Sequence, residues 1–154
     1  MKKIIYPIAA ALVIAADQYT KHLVRSSMQP GDRIPVIGDW MSIYYVQNTG
    51  TAFSMFEGNK FVTIALTSIL IFVCIVLLRS EMRDGHRLTP LLLTFIAAGG
   101  ISNMIDRLSR GFVTDMISCW GFAVFNVADM FITCSCILTM IAMIMYYREE
   151  ALRG

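Results

Sequence analysis

The sequence predicts an all-α polytopic membrane protein, with four transmembrane helices and a small extracytoplasmic β-sheet in one domain over residues 1–154. Three observations carry that prediction. Of the 154 residues 56% are apolar and only 16% are charged, whereas about a quarter of a soluble domain is charged. Mean hydropathy is +0.62. A helix crossing the hydrocarbon needs roughly 20 apolar residues, so four would take about half the chain and leave short loops. There is no room for a doubly wound α/β enzyme or a second domain, and no nucleic-acid module or disordered linker fits. The net charge of +2 decides nothing; the placement of the charges does.

The first helix is read over about 4–24, apolar as far as Ala16 and then carrying Asp17 and Lys21. Met1-Lys2-Lys3 ahead of an apolar run also has the form of a signal peptide. Cleavage before Asp17 would put Ile14 where a small residue is required, so a retained helix is expected. The second helix, 61–78, contains no charge. The third is read over 88–108, and the fourth over 125–147, interrupted by Asp129 alone. Residues 28–60 and 109–124 form the extracytoplasmic loops. In the longer one, turn residues at Gly31-Asp32, Gly38-Asp39 and Asn48-Thr49-Gly50 bracket the β-branched and aromatic run 40–46, a short strand. Its Trp40, Tyr44 and Tyr45 suit the headgroup layer.

Placing both termini in the cytoplasm leaves seven Lys or Arg in 19 inner residues and six in 63 outer ones, as the positive-inside rule requires. Asp17, Asp106, Asp115 and Asp129 then gather near the outer interface, with Asn48, Asn103, Asn126 and Arg107. A carboxylate near hydrocarbon is costly unless partnered, so each is a functional candidate. Helical spacing separates them, because residues three or four apart share a face. Asp17 has Lys21 at that spacing and Asp106 has Arg110; Asp115 and Asp129 have no basic residue there.

Two unpaired acids on different segments at one face suggest a carboxylate pair. Such a pair ionises one member at a time. One carboxylate can take a proton from water while the other donates to a carbonyl or leaving nitrogen, which is peptide hydrolysis without a metal or covalent intermediate. Asn126, one turn from Asp129, could hold one member ionised. On spacing alone the acids could equally be interfacial, salt-bridged to Arg107 across helices, or the proton-carrying residues of a small transporter.

Other chemistries find less in the chain. There is no HExxH, and His22 and His86 fall on opposite sides of the membrane. Gly100-Ile-Ser102 opens like a serine-nucleophile motif, but Met104 stands where its last Gly belongs, leaving Ser102 as a packing residue. Cys134 and Cys136 point apart on a helix, while Cys74 and Cys119 are isolated, so no disulfide framework is expected. No metal or cofactor is expected.

Read together, Asp17-Gln-Tyr-Thr-Lys21, Asn48-Thr-Gly-Thr-Ala-Phe-Ser54, Gly99-Gly-Ile-Ser-Asn-Met-Ile-Asp-Arg107, Gly111-Phe-Val-Thr-Asp115 and Phe125-Asn-Val-Ala-Asp129 resemble the bacterial lipoprotein signal peptidases, signal peptidase II. The blocks span nearly the whole chain in order. The resemblance implies an inner-membrane aspartyl endopeptidase that removes signal peptides from diacylglyceryl prolipoproteins before the lipidated Cys, and that globomycin-type inhibitors block. It implies that Asp115 and Asp129 are the catalytic dyad. By the same resemblance Asn48, Gly50, Asn103, Arg107 and Asn126 line the site, and Asp17, Lys21 and Asp106 form a polar support. Membrane lipid and prolipoprotein are the implied partners, without nucleic acid, and a monomer is expected. The 115–129 connection is shorter than usual for the family, which predicts a reduced strand or flap there. Phe53, Met55 and Phe56, beside the Asn48 block, are expected to form a mobile flap.

Overall fold

The computed structural model describes residues 4–50, 59–83, 87–120 and 123–153. The Phe53, Met55 and Phe56 flap and the 51–54 part of the Asn48 block lie outside the described residues. The chain forms α1 (Ile5–Ser27), β1 (Arg33–Ile37), β2 (Met41–Asn48), α2 (Lys60–Arg83), α3 (Leu88–Arg110), β3 (Val113–Cys119), β4 (Ala123–Phe125) and α4 (Val127–Arg153). All four expected helices are present, α2 and α4 longer by a turn or more. The fourth starts two residues later than its hydropathy suggests, because Phe125 belongs to a strand and Asn126 to the helix cap.

By length and composition, α2, α3 and the 127–146 part of α4 can each cross a membrane. α1, which carries Asp17, Lys21 and Arg25, is not among those spans. The helices differ in what they bury. α3 touches all three others and is the bundle's axis. Its first half buries Leu92, Leu93, Ile96, Ala97 and Ala98, whereas its second half buries Ser102, Asn103, Asp106 and Arg107. α2 and α4 instead expose large apolar residues such as Phe61, Ile69, Phe72, Ile141 and Ile144. A helix that is apolar all round and turns such side chains outward is suited to lipid.

Gly111 ends α3 in the left-handed conformation at φ 85°, donating its N–H to the Arg107 carbonyl at 3.1 Å. A Cβ is disfavoured at that φ, and glycine relieves the strain. The turn sends the chain directly into the sheet, whose antiparallel order is β1-β2-β3-β4. Only one strand was expected in the 28–60 loop, and β3 is the larger surprise. Its sequence VTDMISC lacks the apolar/polar alternation of a half-buried strand because both its faces are covered; five of its seven residues are buried. The connection between the two acids carries β4, three residues long.

Register fixes which way the acid points. β2 pairs Ile43 with Ile117 and Val46 with Asp115, so one extra β2 residue bulges out between them. Side chains alternate across a strand, which puts Asp115 on one face and Thr114, Met116 and Ser118 on the other. The bulge also corrects a sequence expectation. Tyr45 is 4% exposed and packs with Val24, Met28 and Met116 instead of reaching the headgroups. Tyr44 lies under Arg33, whose guanidinium carbon is 5.2 Å from the ring centre. At the far end of the sheet Trp40 and Trp120 meet edge to face, 6.2 Å between centroids, and the Trp120 N–H donates to the Trp40 carbonyl at 2.8 Å.

Candidate active site

Three segments converge where β3 passes the start of α4 above the polar half of α3. The approach of α3 and α4 depends on Gly99, where a Cβ would lie 2.8 Å from the Ala128 carbonyl oxygen and 2.7 Å from Ile132 Cγ1. One turn further along α3, Asn103 therefore reaches Asp129, donating to Oδ1 at 2.8 Å.

α4 begins with a reciprocal cap. Asn126 Oδ1 accepts the Asp129 N–H at 2.9 Å, and Asp129 Oδ2 accepts the Asn126 N–H at 3.2 Å. This is a capping box with Asn at the cap and Asp three residues on. It holds the Asp129 carboxyl at the positive end of the helix dipole, a place suited to negative charge. The remaining Asn126 group, Nδ2, donates to Asp115 Oδ1 at 2.7 Å and to Asn103 Oδ1 at 3.2 Å. Asn48, at the end of β2, donates to Asp115 Oδ2 at 2.9 Å. Each acid thus receives two amide N–H groups, and Asn126 serves both.

Among the described residues neither acid forms a salt bridge. Asp115 is 2% exposed. Burial pushes its carboxyl up from 3.8 to about 7, helped by the charge of Asp129 and opposed by the Asn48 and Asn126 hydrogen bonds. Both acids open onto a cavity of about 530 Å³. Its polar end is formed by Asn48, Asn103, Arg107, Asp115 and Asp129, and its apolar wall by Val113, Phe125, Met130 and Ile132.

Arg107 stands on that polar end without touching the acids. It donates to the Gly50 carbonyl at 3.0 Å and to Thr67 Oγ1 at 3.4 Å. Its buried Nε has no partner among the described residues.

A second cluster lies behind the first. Lys21, fully buried, contacts Asp17 Oδ2 at 2.7 Å, Asn103 Oδ1 at 2.7 Å and Asp106 Oδ2 at 3.3 Å. Asp17 also accepts from Ser102 Oγ at 2.7 Å and from the Ala128 N–H at 2.8 Å, a further tie to the first turn of α4. The pairing of Asp17 with Lys21 follows the helical spacing. The pairing of Asp106 with Arg110 does not form. Asp106 turns inward to Lys21, to Arg25 at 3.7 Å and to the Thr114 N–H at 3.2 Å, while Arg110 Nη1 donates to Ser109 Oγ at 3.5 Å. The inward face of α3 is where a compensating charge is available.

All ten candidate residues therefore fall into two adjoining groups joined through Asn103. Gln18, Arg25, Ser102 and Thr114 were not anticipated. Gln18 donates to Ser102 Oγ at 3.1 Å and Asp106 Oδ1 at 3.3 Å, and Arg25 to Thr114 Oγ1 at 2.9 Å. A signal existed: Asp17, Lys21 and Arg25 recur every four residues on α1, as Ser102 and Asp106 do on α3, and stripes of that period share a face.

Comparison with known proteins decides the family. The family model described as signal peptidase (SPase) II matches residues 9–145. The chain belongs to the signal peptidase II family. Relatives named lipoprotein signal peptidase include that of Shouchella clausii, 38% identical over 93% of this chain and 95% of its own length. That of Streptococcus pneumoniae is 35% identical over 93% and 94%, and that of Fusobacterium nucleatum 32% over 97% and 92%. Among solved structures, a bacterial membrane enzyme determined in meso at 2.3 Å superimposes with TM-score 0.82 at 27% identity, covering 90% of this chain and 87% of that one. Another, at 1.9 Å, gives 0.79 at 27% identity over 90% and 91%. Family membership makes the chain a membrane peptidase and leaves the transporter reading without support.

Proposed function

We propose that the chain is an aspartic endopeptidase that removes the signal peptide from diacylglyceryl-modified prolipoproteins, with Asp115 and Asp129 as its catalytic pair. The observation that carries this reading is the shared Asn126 amide. It donates to Asp115 with its side chain and to Asp129 with its backbone, holding both acids on one cavity with, among the described residues, no salt bridge to either. Structural acids are ordinarily paired with charge; a pair held only by neutral donors keeps its protons exchangeable.

In the proposed reaction a water sits between the carboxyls. Asp115, pushed up to about 7, carries the proton and donates it to the scissile carbonyl. Asp129, held at the helix N-terminus, takes a proton from the attacking water and passes it to the leaving amine, and the collapsing gem-diol returns a proton to Asp115. The Nε of Arg107, without a partner among the described residues, offers a donor to a carbonyl of the extended signal peptide. The apolar wall along α4 suits an acyl chain reaching the site from the bilayer. α1 completes the bundle as a fourth span, its charges shielded by α3 and α4. The termini lie in the cytoplasm and the site at the extracytoplasmic face of the inner membrane, in a single peptidase domain acting as a monomer.

The test is processing. Membranes bearing the protein should convert diacylglyceryl prolipoprotein to a product lighter by its signal peptide, and Asp115→Asn and Asp129→Asn should each abolish the conversion. Full activity in either variant would falsify the pair. A globomycin-type inhibitor that binds only the folded state should raise Tm, since such binding stabilises by mass action; an unchanged Tm at saturation would count against the substrate assignment.

A further inference from the structure

Asp115 lies on a strand that is held unevenly. β4 pairs with β3 only at Ile117, Ser118 and Cys119, so among the described residues the outer edge of β3 beside the acid meets no strand. A buried N–H on such an edge needs another acceptor. At Thr114, fully buried, the acceptor is a carboxylate: the Thr114 N–H donates to Asp106 Oδ2 at 3.2 Å. The Thr114 hydroxyl accepts from Arg25 Nη1 at 2.9 Å, and the same Nη1 lies 3.7 Å from Asp106 Oδ1. Arg25 comes from α1 and Asp106 from α3, so the three groups close a ring that ties β3 to both helices at the residue before the acid.

The β2 ladder alone holds register loosely at this point. β2 bulges between the Ile43–Ile117 and Val46–Asp115 pairs, and a bulge disrupts its ladder locally. A slip of β3 by one residue would turn Asp115 from the cavity to the opposite face. Thr114 and Asp115 point to opposite faces of the strand, so a grip on the Thr114 side chain from the helices aims Asp115 at the cavity. A slip would also break both Thr114 contacts. We infer that Arg25 and Thr114, together with Asp106, are positioning residues for Asp115, fixing the register and depth of β3 and so the direction in which the acid points. Neither the Arg25 nor the Thr114 side chain hydrogen-bonds Asp115 or Asp129 among the described residues. The role rests on the proposed reading of Asp115 as a reacting acid. Its size follows from the sensitivity of reacting groups to placement, where about 1 Å can cost about 10²-fold in rate.

The test uses the full chain in detergent with a diacylglyceryl prolipoprotein substrate. Thr114→Val keeps the branched shape and the strand, and removes only the acceptor that Arg25 uses. It should lower kcat at least fivefold while KM stays within twofold of the parent. The alkaline limb of its processing profile should move down by at least half a pH unit, because water reaching a loosened Asp115 relieves the burial that pushes its carboxyl up to about 7. The charged groups acting on Asp115, which are Asp129 on α4, Arg107 on α3 and Lys21 on α1, are all retained in this variant. Thr114→Ser, which keeps the hydroxyl, should restore both kcat and the limb. Arg25→Met should lower kcat comparably, and the double variant no further than the larger single effect, since both changes remove one contact. An unmoved limb in Thr114→Val, or single effects that multiply in the double variant, would overturn the positioning role and leave the acid pair standing. Parent kcat in Arg25→Met would overturn it whether or not Thr114→Val folds. Full processing by Asp115→Asn would instead remove the acid pair, and this role with it.

Discussion

Two groups of buried acids sit side by side in this molecule, and they are treated in opposite ways. Asp17 and Asp106 are fully buried and meet Lys21 and Arg25, so that charges nearly cancel within the cluster. Asp115 is almost as deeply placed and Asp129 is half-buried, yet among the described residues they meet only amides. In the first arrangement each charge is matched, and removing a partner would leave a buried charge unmatched. The second leaves protonation open, because an amide donor stabilises a carboxylate without obliging it to stay charged. On the proposed reading the same residue type is structural in one group and reactive in the other, and what separates Asp115 from Asp17 and Asp106 is the neighbour, not the depth.

That contrast can be broken at several points. The largest effect is expected from removing an acid of the amide-held pair. Asp115→Asn should lower processing at least ~10³-fold, equivalent to about 4 kcal/mol of barrier, while the chain still folds. Its stability should also change its dependence on pH. Folded Asp115 holds its proton up to about 7, against an ordinary value of 3.8. Its penalty is therefore absent below pH 4, grows as pH rises, and is complete above 7, reaching at most about 4 kcal/mol. Unfolding followed from pH 4 to 8 should show that decline in the parent and a flatter line in Asp115→Asn; parallel lines would mean that Asp115 titrates normally.

Next comes the ion-paired group. Lys21→Met strands the buried Asp17 carboxylate and leaves Asp106 with Arg25 alone, and should cost about 3–5 kcal/mol, read as a large fall in Tm. A loss of processing without a fall in Tm would place Lys21 in the reaction instead of the scaffold. Gly99→Ala forces α3 and α4 apart at the Ala128 carbonyl, which is backbone and cannot swing aside. An overpacking cost of about 1–3 kcal/mol is expected, with processing reduced more than stability alone explains, because the Asn103 to Asp129 bond lengthens. The smallest effect is the most diagnostic. Asn48→Ala removes a donor that favours ionised Asp115, so its carboxyl should rise further and the alkaline limb of the processing profile should move up by about one pH unit. A limb that stays in place or moves down would exclude Asp115 as the group behind it.

The sequence was most informative where physics acts locally. Four helices follow from hydropathy, and helical spacing isolates Asp115 and Asp129 as acids without a basic neighbour. It fails where the compensating partner is distant in sequence. Asp106 has Arg110 at the right spacing, but the fold offers Lys21 and Arg25 on the other side of the helix. Ser102, read as packing, is tied to Asp17 at 2.7 Å across 85 residues. β3 escapes because alternation vanishes when both faces are covered, and Tyr45 because a bulge one residue wide reverses its face. Local pairing rules identify which acids are unusual; only the assembled bundle says what holds them.

The chain contains two tryptophans, Trp40 and Trp120, and both lie at the outer tip of the sheet in contact with each other. Ultraviolet emission excited at the indole band therefore comes from a single spot. It reports on the sheet tip and its surroundings, and the helices can rearrange unseen by it. A blue shift on reconstitution into vesicles would register the tip entering lipid. A denaturation curve recorded by this emission need not coincide with one recorded by circular dichroism, and the gap between the two would measure how independently the sheet lets go of the bundle.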